Sequence, residues 1–273
     1  MTASDVAPIS QVQRRAPSLA LRARCLVASE WTKFRSVRST LWALAVAAVT
    51  ALGGSGVIAL SSASSKAGSG LGLDPVASIF FPWLEYPVLA VGILGVLVFT
   101  SECSTGQVRT SFSAVPQRSA VLGAKAAVVG GAVLVLGEAL AFASFFLSQA
   151  VLAGHHSQLS LSRGGEVRAV LAGGFSLFIV AMVGLGLGTL IRHTAGAIAA
   201  LPAVLYLPLL VLSLPSPWAD RIGSYTIVMS AYQLVSFQRQ PGLLSPVFSF
   251  VVLVAWPAVL LVGGAIATAR RDA

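Results

Sequence analysis

Six long apolar runs dominate the chain, each near the roughly 20 residues that a helix needs to cross a bilayer core. They fall at about 41–60, 79–99, 121–152, 167–191, 196–214 and 246–269. Of the 273 residues 56% are hydrophobic and only 10% charged, more apolar surface than a soluble core can hide. The expected class is therefore an all-α integral membrane protein with six transmembrane helices in a domain spanning 40–273.

Basic residues set the expected orientation. Residues 14–38, 109–125, 192 and 270–271 together hold thirteen of the 18 Lys and Arg. By the excess of Lys and Arg in cytoplasmic segments, those stretches lie inside, and six spans return the carboxyl terminus to the amino-terminal side. Both termini are expected in the cytoplasm. The formal charge of +9 thus belongs to span ends and is no footprint of nucleic acid. Cys25 and Cys103 fall on the same inner side, where thiols stay reduced.

The segment before the first span is of another kind. Residues 1–17 are polar, carry Pro8 and Pro17, and read as a disordered cytoplasmic tail without a cleavable signal. Over 18–39, Leu19, Ala23, Leu26, Val27, Trp31, Phe34 and Val37 gather on one helical face, and Arg22, Arg24, Lys33 and Arg35 flank it. That is an amphipathic connecting helix lying in the headgroup region, with basic side chains reaching for phosphates. Glu30 interrupts the apolar face, so part of it is expected to meet protein.

A polar interval, TSECSTGQVRTSFSAVPQRSAVLGAK (100–125), separates the second and third spans. Ser104 and Thr105 are candidate N-caps for a short helix. Val108, Phe112 and Val115 would give that helix one apolar stripe, and Pro116 would end it. A capped lever held between two spans suits contact with a partner; a solvated connecting loop is the plainer alternative.

Other polar groups are few. Glu138 sits in the middle of the third run, where a carboxyl group must face protein or water or be neutral; it either contacts a substrate or fixes packing. Glu85 can reach the interface beside Trp83 and Tyr86. Gly184 and Gly188 form a small-xxx-small pair for close helix approach. His155 and His156 read as a solvated pair, and no His/Cys cluster points to a metal. The segment 215–245 carries Trp218, Tyr225 and Tyr232 and is expected to hold short interfacial helices at the outer mouth. Walker, H-E-x-x-H and Ser/His/Asp signatures are missing, so neither a catalytic residue nor a bound cofactor is expected.

In order, SEWTKFRSVRSTLWAL (29–44), TSECSTGQVRTSFSAVPQR (100–118), GLGLGTLIRHTAGAIAALPAVL (184–205) and LPSPWADRIGSY (214–225), with Arg270 and Arg271 at the close, resemble the permease subunits of type-2 ATP-binding-cassette (ABC) exporters. The resemblance implies a six-span half-transporter of the bacterial plasma membrane that pairs with itself or a second permease. It implies docking to a separate ABC ATPase, which would bind the ATP and Mg. The coupling element would comprise Glu102, Thr105, Gly106, Val108, Arg109, Phe112 and Val115. Trp31, Lys33, Phe34 and Arg35 would belong to the interfacial helix, and Glu138 would face a substrate path for an amphipathic drug, lipid or peptide. Two rival readings stay open: a secondary transporter driven by an ion gradient through Glu138, and a non-transporting assembly or immunity subunit.

Overall fold

The computed structural model describes residues 19–64, 79–107, 118–153, 164–213, 218–236 and 244–271. Nine α-helices run through them: α1 (Leu19–Ser36), α2 (Arg38–Ser64), α3 (Tyr86–Thr105), α4 (Arg118–Ala153), α5 (Gly164–Ile191), α6 (Thr194–Tyr206), α7 (Trp218–Gly223), α8 (Ile227–Val235) and α9 (Pro246–Arg271). Two 3-10 segments join them, Phe81–Leu84 ahead of α3 and Leu207–Ser213 after α6. Six of the helical stretches are long and apolar enough to cross a membrane, and they coincide with the six apolar runs. The protein is an all-α, multi-pass membrane protein.

The bundle is organised around α5, which packs on α3, α4, α6, α8 and α9. Inside its span 78% of residues are buried, against 17% in α6 and in α9, so α5 is the axis and those two helices present most of their surface outward. Lipid is as apolar as leucine, so helices in a membrane gain little by hiding apolar faces. Close packing has to hold them together. Glycine supplies it here. A methyl group on Gly95 would strike the carbonyl of Ala181, and one on Gly184 would strike that of Gly92, so α3 and α5 touch backbone to backbone. Gly188 adds the next turn of the same seam, lying against Val96. The Gly184/Gly188 pair does what its spacing predicts.

Two turns are decided locally. Gly106 has φ 73° and ends α3, its N–H reaching the carbonyl of Cys103, a left-handed stop that glycine takes without strain. Between α5 and α6 only Arg192 and His193 intervene. Arg192 takes φ 56°, and His193 Nδ1 accepts from the backbone N–H of Gly196, capping α6.

At the end of the bundle where α5 begins, the aromatic-rich segment folds into the short helices α7 and α8. Thr226 caps α8 by accepting from the N–H of Met229, and Arg168 donates to the carbonyl of Ser236 just past its last turn, 2.8 Å away. All but Met229 of the α8 residues are buried, Tyr232 among them, whereas Trp218 and Tyr225 are exposed. Trp256 of α9 ties the segment down by donating to the carbonyl of Tyr225. These contacts satisfy backbone groups that lipid could not.

Candidate functional site

At the opposite end, four charged side chains from three helices meet. Glu30 and Lys33 stand one turn apart on α1, Glu102 is in the last turn of α3, and Lys125 is in the second turn of α4. Lys125 Nζ lies 2.6 Å from Glu30 Oε2 and 2.7 Å from Glu102 Oε1. Lys33 Nζ lies 2.8 Å from Glu30 Oε1 and 3.0 Å from Glu102 Oε1. Two ammonium and two carboxylate groups make a neutral square, which is what allows it to sit out of water. Lys125 is only 2% exposed and Glu30 5%, whereas the Lys33 side chain keeps 40% of its surface and stands at the rim.

Partial burial opposes the charge of Lys33. Hydrogen bonds to Glu30 and Glu102, with the attraction of both carboxylates, outweigh it and raise its pKa above the ordinary lysine value. An ammonium has three N–H groups, and each lysine spends two on this square.

The cluster depends on where α3 stops. The sequence pattern ended the second span near Phe99 and began a new helix with Ser104 or Thr105 as its cap. Instead α3 continues to Thr105, and the hydroxyls of Ser104 and Thr105 donate back to the carbonyl of Ser101. The helix runs on because those hydroxyls are satisfied within it and Glu102 finds two ammonium groups instead of water. Gly106, taken as part of a lever, is the stop signal itself.

Glu102 is thereby buried, while Thr105 and Gly106 are exposed at the end of α3. Val108, Arg109, Phe112 and Val115 lie outside the described residues, as do His155 and His156. On α1 the expected single apolar face divides. Phe34 and Glu30 turn into the bundle, while Val27 and Trp31 stay exposed beside Arg24 and Arg35, as does Val37 just past the helix. Glu30 does meet protein. Trp31 and Phe34 remain stacked across the divide, ring centroids 6.0 Å apart.

Lys125 is the residue that sequence reasoning missed. It falls within the third apolar run, at the end of the polar interval that the sequence pattern assigns to a loop. The signal was available, because a lone lysine inside a span demands a carboxylate partner. Glu138 drew attention by that rule, yet it lies far along α4, its backbone against Gly174 of α5 and its Oε2 without a hydrogen-bond partner.

Next to the charge square is a cavity of about 230 Å³ between α1, α2, α3 and α4. Glu30, Lys33, Glu102 and Lys125 line one end; Leu94, Leu97 and Val128 line the other. No protein-family model matches this chain, and neither does any curated protein.

Proposed function

We propose that the chain is the transmembrane permease subunit of an ABC exporter, moving an amphipathic or hydrophobic compound out of the cytoplasm with ATP hydrolysed by a separate ATPase. The observation that carries this reading is the Lys125 square. The two helices flanking the polar interval, α3 and α4, are locked to each other and to α1 by buried ion pairs. A push received by that interval would therefore move three helices together, which is what a permease without its own motor needs. The exposed Trp31, Val27, Arg24 and Arg35 of α1 suit a helix lying at the headgroup level on the cytoplasmic side.

Passage between two permeases fits the packing. Where α8 meets α3, α5 and α9, the void is only about 10 Å³, too small to hold a water molecule comfortably. The little-buried helices α6 and α9 offer surface for a second copy.

The test is co-expression with a candidate ATPase subunit. Inside-out vesicles should accumulate a lipophilic fluorescent dye only with ATP, and the ATPase should co-purify with the permease. The double substitution Val108→Asp and Phe112→Asp should abolish co-purification while membrane insertion persists. Unaltered co-purification counts against the coupling role. The unpartnered Oε2 of Glu138 keeps one rival in view, an ion-gradient transporter. In that case transport would survive without ATPase and fail in Glu138→Gln.

A further inference from the structure

The cavity beside the charge square has a graded lining. Along α3 its wall passes from Glu102 and Ser101, through Val98 and Leu97, to Leu94. At 1.5 Å rise per residue, that is a descent of roughly 12 Å from charge to pure hydrocarbon. Along α4 the same order recurs from Lys125 to Val128 and Val129. Both helices are membrane spans, so the gradient runs along the membrane normal, polar at the rim and apolar inward. A drug-sized ligand would not be enclosed, since about 230 Å³ falls below the roughly 300–1,000 Å³ of pockets that bury such molecules, whereas a chain anchored in the bilayer needs only part of its length covered.

The polar end has a sign. Lys33 is part-exposed at the rim with one N–H uncommitted, and Lys125 keeps another deeper in. The hydroxyl-bearing Ser39 and Thr40, in the first turn of α2, complete that end. The side chains of Arg35 and Arg38 are exposed nearby in sequence. A neutral square with spare donors at its open side accepts an anion more readily than a second cation.

We propose that this cavity holds the headgroup-proximal part of one acyl chain of an acidic phospholipid from the leaflet in which α1 lies, the rest of the chain continuing into the bilayer. Its phosphate rests against Lys33 and the first turn of α2, and its chain lies along Leu94, Leu97 and Val128. The lipid would fill the space between α1 and the bundle, so acidic lipid content would govern how firmly α1 is held. This rests on the membrane fold and not on the ATPase partner; it can fail while the transport reading stands.

The experiment uses the full chain, purified in detergent, stripped of lipid and titrated with phosphatidylglycerol, phosphatidylcholine or inorganic phosphate. Phosphatidylglycerol should raise Tm by several degrees and be retained as one molecule per chain in native mass spectrometry. Phosphatidylcholine should shift Tm much less, and inorganic phosphate not at all. Lys33→Met should weaken the phosphatidylglycerol response about tenfold in concentration, the worth of one charge-assisted hydrogen bond. Leu97→Phe, which fills the apolar end, should remove it. Phosphatidylglycerol carrying a diazirine in its chain should label peptides around Leu94–Val98 or Val128–Val129 of the wild-type protein, a readout that needs no variant to fold. The proposal is overturned by equal responses to the two lipids, by a response to inorganic phosphate alone, or by labelling confined to other helices.

Discussion

Lys125 Nζ and Glu30 Oε2 lie 2.6 Å apart although 95 positions separate them in the chain. Their contact binds the amphipathic helix α1 to the first turns of α4, and Glu102 of α3 closes the arrangement. An ammonium group that is 2% exposed is tolerated in a membrane bundle only because two carboxylates stand within hydrogen-bonding distance of it.

Removing that ammonium should be costly, and more so than removing charge in balance. Lys125→Ala leaves Glu30 and Glu102 buried with Lys33 alone, and breaking a buried pair in this way costs about 3–5 kcal/mol. Lys125→Met combined with Glu102→Gln removes one charge of each sign and should recover most of the loss. Thermal unfolding in detergent, arranged as a double-mutant cycle, checks this. Additive effects of the two substitutions would show that the contact carries no coupling.

Lys33 should behave differently, because its side chain keeps 40% of its surface and water screens its ion pairs. Lys33→Gln is expected to cost no more than about 1 kcal/mol, and less at high salt. Its folded pKa is raised by the two carboxylates. Its contribution is therefore complete below the unfolded lysine value, about 10.4, and fades as pH climbs through the higher folded value. Tm followed between about pH 9 and pH 12 should fall more steeply for wild type than for Lys33→Gln.

The α3–α5 seam predicts a sharp contrast between glycines. Gly184→Ala brings a methyl group onto the carbonyl of Gly92, so backbone must move, at a cost of about 1–3 kcal/mol. Gly131 on α4 has open space around the position of a Cβ. Gly131→Ala should be neutral or stabilising, by up to about 1 kcal/mol through helix propensity. Equal destabilisation of the two variants would mean that the seam is not a close contact.

Topology can be read with cysteine chemistry. Cys25 on α1 is exposed, and Ser62 at the far end of α2 is exposed too. With the amino terminus in the cytoplasm, a membrane-impermeant maleimide should spare Cys25 in intact cells and label it after permeabilisation. In a background of Cys25→Ser and Cys103→Ser, Ser62→Cys should be labelled in intact cells. The reverse pattern would invert the proposed orientation, and with it the side on which an ATPase could dock.

How far the sequence could be read differs between elements. The spans were legible because bilayer thickness sets a length and lipid sets a composition, and both are local. Gly184 and Gly188 were legible for a similar reason, since spacing on one helix already defines a face. The end of α3 is harder to read, because Ser104 and Thr105 satisfy equally the pattern of a helix start and of a back-bonded last turn. What separates the two is Gly106 and the partners of Glu102, and those partners are 69 and 23 positions away.

The amino-acid order by itself determined that this chain is an all-α protein with six helices long and apolar enough to span a membrane, because hydrophobic length and helical periodicity are properties of contiguous residues. Only the tertiary structure decided that Glu30, Lys33, Glu102 and Lys125 form one neutral cluster with an amphipathic cavity beside it. Charge pairing acts through space at about 3 Å. No pattern along the chain specifies which of its few buried charges will meet until three helices have packed.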